Sequence, residues 1–166
     1  MTFVTNGTHE QAFNRLIRKM DELVESGVIT EEVIAQIGYE TEEPKHIKWE
    51  RLFPYEMMSE LYDQARIIIT HGGPASFIMA LEKNKIPIVV PRKAELGEHI
   101  NDHQVIFCNE VANRKKNIIV VNDISTLGDV ILNYNSIVAC IPADAQSNNA
   151  KFCVGFEEIV KEVFHA

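Results

Sequence analysis

The sequence predicts an α/β fold, a doubly wound parallel sheet in a single domain, and three observations carry that prediction. Stretches of strand-like patterning alternate from end to end with stretches of helical period. Pro87-Ile-Val-Val-Pro91 is short and wholly apolar, as strands buried on both faces of a parallel sheet are. From Ile67 to Phe77, three β-branched residues run into Gly72-Gly73, then into Pro74 at a first helical position.

In chain order, Thr2–Thr5 reads as a strand and Asn6–His9 as the turn after it. Phe13, Leu16, Ile17, Met20 and Leu23 recur at three and four, which predicts an amphipathic helix from Glu10 to about Ser26, closed by Gly27. Glu32–Ile37 is a short strand, Gly38–Lys45 a polar loop, and His46–Phe53 alternates as a further strand. Pro54 introduces a helix from about Tyr55 to Gln64. The strand at Ile67 and its glycine loop lead into a helix running to about Lys83, followed by the strand Pro87–Pro91 and a loop over Pro91–Gly97. A helix from His99 to about Asn113, a strand over Asn117–Val121 and a helix over Ile124–Tyr134 complete the alternation. Pro142–Ala150 reads as a loose polar connector, and 151–164 as a helix with Phe152, Phe156, Ile159, Val160 and Val163 on one side.

The 166 residues, 46% hydrophobic and 24% charged, fit one compact domain with a real core and leave no room for a second full one. A net charge of −8 excludes general nucleic-acid binding, which needs a basic surface. The clusters Arg15–Lys19 and Arg114–Lys116 read as solvated faces, or as contacts for an anionic membrane or a partner. Cys108, Cys140 and Cys153 form no metal-spaced pair and leave an odd thiol, which suits a reducing cytosol. No secretory signal is visible at Met1–Thr5, and the longest apolar patch, around Ile86–Pro91, is too short to cross a bilayer. Work at a membrane would need something else to bring the chain there.

In a doubly wound sheet the ligand sits beyond the carboxyl ends of the strands, where the loops Asn6–His9, Phe53–Met58, His71–Ser76 and Pro91–Gln104 should converge. Gly72 and Gly73 let a ligand approach the backbone, and a helix N-terminus behind them aims N–H groups and a positive dipole end at one point. That arrangement holds an anion; the plainer alternative is a turn that merely connects. There is no GxxxxGK[ST] and no GxGxxG after the first strand, which weakens ATPase and NAD readings. No Asp-x-Asp occurs, so a diphosphate leaving group would rely on backbone N–H groups and polar side chains rather than a carboxylate-bound Mg²⁺, and no metal cofactor is expected.

His99 and His103, at i and i+4 on one helical face, have a zinc-capable spacing but lack the Glu that a zinc protease places after the first His. Glu98, His99, Asn101, His103 and Gln104 could instead bind sugar hydroxyls, or form an ordinary polar helix face. His9 and Glu10 suit acid–base work, phosphate contact or helix capping. Without a GxSxG or a cysteine in a reactive setting, covalent catalysis has little support.

Several motifs taken in order carry a resemblance. Phe3-Val-Thr-Asn-Gly-Thr-His-Glu-Gln11, Ile37-Gly-Tyr39, Thr70-His-Gly-Gly-Pro-Ala-Ser-Phe77, Lys85-Ile-Pro-Ile-Val-Val-Pro-Arg92 and Glu98-His-Ile-Asn-Asp-His-Gln104 together resemble small bacterial capsule and exopolysaccharide glycosyltransferase subunits. These are similar to the donor-binding, C-terminal half of family 28 glycosyltransferases and to the catalytic subunit of the split eukaryotic N-acetylglucosaminyltransferase acting on dolichol-linked sugar. The resemblance spans about residues 2 to 135.

It implies a Rossmann-like GT-B half domain that takes a UDP-sugar, most typically UDP-galactose, and transfers the sugar with inversion to a lipid-diphosphate-linked saccharide acceptor. Position by position, Gly7, Thr8 and His9 fall on the loop facing the diphosphate, and Phe53 with the Pro54–Met58 turn falls where the uracil is gripped. His71, Gly72, Gly73, Ala75 and Ser76 fall on the phosphate loop, and His103-Gln104 on the pair holding sugar hydroxyls. One departure stands out: the ribose-binding Glu of longer GT-B chains is matched by Met79 or Ala80, with Glu82 nearby.

A GT-B enzyme closes two halves over its donor, so the resemblance also implies a membrane-anchored acceptor-side glycosyltransferase subunit as partner, holding this chain at the inner face of the cell membrane. The helix at 151–164 is a candidate docking element, or else packs on its own domain. The base lies on either chain, with His9 the candidate in this one. The competing readings are a non-catalytic nucleotide-sugar-binding or regulatory subunit, and an unrelated α/β enzyme such as a sugar epimerase.

Overall fold

A computed structural model describes residues 1–141. Its strands are β1 (Thr2–Thr5), β2 (Val33–Gln36), β3 (Lys48–Glu50), β4 (Ile67–His71), β5 (Ile88–Val90) and β6 (Ile119–Val120), all parallel in one sheet of order β3-β2-β1-β4-β5-β6. The helices are α1 (Asn14–Glu25), α2 (Tyr55–Gln64), α3 (Pro74–Glu82), α4 (His103–Lys115), α5 (Leu127–Leu132) and α6 (Tyr134–Ala139), with 3₁₀ turns at Ala94–Leu96 and Ile124–Thr126. The order reverses between β1 and β4, which makes this the doubly wound, Rossmann-like sheet that the alternation predicts.

Side-chain alternation along each strand sorts the core into two faces. Val4, Ile69, Ile88 and Val90 pack with α1, α5 and α6 through Leu16, Met20, Leu127, Ile131 and Tyr134. Phe3 and Ile68 turn to the other face, against Leu61 and Tyr62 of α2 and Ala80 of α3, and Val89 meets Phe77 of α3 and Cys108 of α4 there. Each fully buried large apolar side chain contributes about 1.5–3 kcal/mol, so the two layers fix the sheet edge on which the site is built. Register keeps that edge flush: Thr5 lies opposite both Gln36 and Thr70, and His71 opposite Val90. Lys85 anchors α2 behind it, its Nζ donating to the carbonyls of Tyr62 at 2.7 Å and Ala65 at 2.6 Å.

Four elements differ from the sequence reading, and at the first two a side chain outside the helix sets the new boundary. The first helix starts at Asn14 and not at Glu10, because the Glu40 carboxylate accepts the Phe13 N–H at 2.7 Å and holds the preceding residues as a loop. The helix after β5 starts at His103 and not at His99: Asp102 accepts the Ala94 N–H at 2.8 Å, folding 94–102 into a turn of its own. His99 and His103 are therefore not successive positions on one helical face. The helix expected over Ile124–Tyr134 is broken at Asn133, and α6 follows where none is predicted. β3 is also shorter than His46–Phe53, with Lys48 and Glu50 exposed at the sheet edge. The connector over Pro142–Ala150, the helix at 151–164 and Cys153 lie outside the described residues. Among the described residues no helix is long and apolar enough to cross a membrane.

Candidate functional site

Because β1 and β4 are neighbours, the loops that follow them run side by side at the switch point. His71, the last residue of β4, fills the gap between them. A Cβ added to Gly7 would fall 2.4 Å from its Cε1, and one added to Gly73 would fall 2.3 Å from its Nε2. Gly7 also has φ +72°, the left-handed region, so both space and backbone call for glycine there. Gly72 is closed in by Gln104, whose Oε1 would lie 2.8 Å from an added Cβ. What results is a floor of bare backbone at the carboxyl edge of the sheet.

The start of α3 opens onto this floor. Pro74 occupies the first helical position and carries no N–H, Gly73 provides no side-chain cap, and the Ser76 N–H donates to the Gly73 carbonyl at 3.2 Å, which leaves the Ala75 N–H of the first turn to a ligand. Ala75 is exposed and Ser76 half-buried in that turn, and the Ser76 carbonyl accepts the Tyr62 hydroxyl at 3.0 Å. Bare backbone, an uncapped helix start and polar side chains together suit a phosphate-bearing ligand. His71 is held neutral near it: burial first, then Arg92 and the rings of His9 and His99, push its pKa down to about 4. Its Nδ1 is buried without a hydrogen-bond partner among the described residues, and the nearby Thr5 backbone acts the other way, favouring the proton by more than either neighbouring imidazole disfavours it.

Beneath the loops lies an ionic frame that sequence reasoning missed. Arg92, fully buried, donates to the carbonyls of Asn6 at 3.0 Å, Glu98 at 3.0 Å and Gln11 at 2.5 Å. Its guanidinium lies over one approach to the Phe13 ring, 4.9 Å from the centroid, and Arg15 lies 5.1 Å from the same centroid. Glu40 accepts Asn6 Nδ2 at 2.6 Å besides the Phe13 N–H, and burial raises its pKa. One buried cation thus ties the loop after β1 to the loop after β5. The available signal was a charged residue closing an apolar strand, in Pro87-Ile-Val-Val-Pro-Arg92, and it does not announce three carbonyl partners.

Glu98 differs from its expected role. Its carboxylate is held by Arg15 at 2.8 and 2.9 Å and by the Lys93 N–H at 3.0 Å, and the residue is buried, so it braces the loop and is not free for a sugar hydroxyl. The remaining residues of that group do gather. The rings of His9, His99 and His103 pack in sequence, the first pair tilted and the second edge to face, with centroids 4.8 and 4.7 Å apart. His99 is held below the usual histidine pKa by burial, then by His103 and His9. His103 is exposed, its Nδ1 2.6 Å from Asn101 Oδ1; Gln104 is buried and its Oε1 accepts the Arg92 N–H at 3.2 Å. Among the described residues no three His, Cys, Asp or Glu side chains are placed to share a metal ion.

Thr8 is exposed on the loop after β1. Phe53 lies on the connection between β3 and α2. Its N–H donates to Gln36 Oε1 at 3.0 Å and its ring packs 6.3 Å from Phe3. Gln36 Nε2 in turn donates to Thr5 Oγ1 at 3.2 Å, which links the two sides of the site.

The sequence matches the glycosyltransferase family 28 C-terminal domain over residues 1–151. The chain belongs to that family. It is a domain of a transferase family, and its architecture is that of a GT-B half domain. Among solved structures it is similar to the glycotransferase of kitacinnamycin, with 19% identity, 87% of this chain and 35% of that one covered, and a TM-score of 0.59. It is also similar to the glycosyltransferase SnogD from Streptomyces nogalater, with 17% identity, 93% and 43% coverage, and a TM-score of 0.50. At such identities the likeness is one of fold. This family 28 domain spans less than half the length of either structure. Comparison with curated proteins gives no match.

Proposed function

We propose that this family 28 domain is the donor-binding, catalytic subunit of an inverting hexosyltransferase, moving a hexose, galactose in the first instance, from a UDP-sugar to a lipid-diphosphate-linked saccharide in capsule or exopolysaccharide synthesis. The observation that carries the reading is the glycine floor at the β1/β4 switch point, where Gly7, Gly72 and Gly73 bring backbone to a ligand and α3 presents an uncapped N-terminus. The diphosphate lies on that floor. Uracil lies on the Phe53 side and the sugar toward His99, Asn101, His103 and the Gln104 amide. Charge developing on the leaving diphosphate is stabilised by N–H groups, and no metal takes part.

A membrane-anchored acceptor-side subunit completes the site and brings the chain to the inner face of the cell membrane. One observation supports this: large apolar side chains stand exposed around the carboxyl edge, Tyr55 at 77% and Ile100 at 80% among them. A non-catalytic nucleotide-sugar-binding subunit is the second reading. It is favoured by the absence of a carboxylate at the ribose position, where Met79 packs against the core and Ala80 is fully buried.

Calorimetric titration of the chain with UDP, ADP and GDP in EDTA tests the donor site: UDP-selective binding without metal is expected. Transfer of labelled sugar to lipid acceptor, lost in His71→Ala with the fold intact, separates the catalytic from the non-catalytic reading.

A further inference from the structure

We propose that His9 serves the transfer as a hydrogen-bond donor to the sugar donor's diphosphate, through Nε2–H, and is not the base that activates the acceptor hydroxyl. The proposal rests on reading this site as a UDP-sugar site. The ring's tautomer carries it. The Gln11 N–H donates to His9 Nδ1 at 3.1 Å. A backbone N–H can only donate, so Nδ1 bears the lone pair and the proton of the neutral ring sits on Nε2. Nε2 has no hydrogen-bond partner among the described residues, and the ring is half-buried against His99. It stands on the loop of Gly7, close enough to bear on the charge of His71 at the floor. His99 repeats the arrangement more loosely, with the Asn101 N–H 3.4 Å from Nδ1.

A base needs a lone pair facing the hydroxyl it deprotonates, and the only lone pair of neutral His9 faces its own backbone. A donor needs an N–H facing the charge, and Nε2–H is the outward atom. In the transfer, the bond from the anomeric carbon to the diphosphate oxygen breaks and its electron pair leaves on that oxygen. The acceptor oxygen bonds to the anomeric carbon, and its proton passes to a base other than His9. The His9 proton stays on Nε2 throughout, stabilising the departing charge as an oxyanion-hole donor does.

Long-range proton–nitrogen NMR of the free chain reads the tautomer directly, and Nε2–H is expected at His9. Titration with UDP-galactose in EDTA then compares His9→Gln with His9→Ala. The glutamine amide donates a hydrogen bond but takes up no proton, so it should bind within a few-fold of the native chain while alanine binds about tenfold or more weakly, with unfolding midpoints alike. An Nδ1–H tautomer, native-like binding by the alanine variant, or equal loss in both variants overturns the proposal and leaves the UDP-sugar reading standing. Failure of the native chain to bind any UDP-sugar overturns that reading, and the proposal with it.

Discussion

An imidazole wedged between two glycine backbones has no room to yield, and His71 is in that position. Gly73 has an ordinary φ of −75°, so Gly73→Ala tests space alone: the new Cβ must displace the ring or the loop. Such overpacking costs about 1–3 kcal/mol, and because the displaced atoms form the floor, UDP-sugar affinity should fall at least about tenfold; urea unfolding and calorimetry measure the two losses. His71 also makes a pH prediction. Its pKa is lowered to about 4 from an ordinary value of 6.5. As pH falls below the ordinary value the unfolded chain takes up a proton that the native ring refuses, so stability drops until pH reaches the folded value. Allowing for the ring's partial exposure, the loss between about pH 7 and 5 is about 1–2 kcal/mol, and His71→Asn should abolish that share of the pH dependence in urea titrations. These residues were legible because a β-branched run, a glycine pair and a proline leave one local geometry to adopt. Arg92 and Glu40 were not, since what defines them is partners far away in the sequence.

Elements show the same division between local and distant causes. β4, its glycine loop and α3 were read closely from sequence, as was the apolar strand β5, because their signals are periodicity and turn chemistry within a few residues. The starts of α1 and α4 were misjudged because Glu40 and Asp102 impose loops on residues whose own patterning is helical. That correction moves His99 off the helix and into the turn, where its ring packs against His9. Arg92 holds those two loops together, and its removal should be felt at both. Arg92→Met leaves the carbonyls of Asn6, Gln11 and Glu98 without their donor and Glu40 without its neighbouring cation. The expected loss is about 3 kcal/mol or more in urea unfolding, since each buried carbonyl left without its donor costs about 1–3 kcal/mol. Arg92→Lys keeps the charge but offers one ammonium where a planar fork spans three carbonyls. It should recover part of the stability and little of the UDP-sugar affinity.

At the scale of the whole molecule, topology was the most legible property, because alternating periodicities and the right-handed crossover leave few arrangements of a parallel sheet. The same topology separates the proposed donor site from the surface around it. Gly7, His71 and Gly73 form the floor at the switch point, whereas Leu96, at 53% exposure, and Ile106, at 64%, stand outside it on the turn after β5 and on α4. Exposed apolar side chains at the mouth of the site favour a covering surface, and the proposed acceptor-side subunit would supply one. Leu96→Asp and Ile106→Asp should therefore separate the two functions of the edge. Each substitution is at the surface and should shift stability by no more than about 0.5 kcal/mol. UDP-galactose affinity of the isolated chain should stay native, since neither side chain belongs to the floor. Sugar transfer to lipid acceptor in membranes should fall steeply, because a carboxylate placed in an apolar interface is desolvated without a partner. Native transfer rates in both variants would mean that the apolar edge is not where the proposed acceptor-side subunit docks, and would direct the search to another face of the domain.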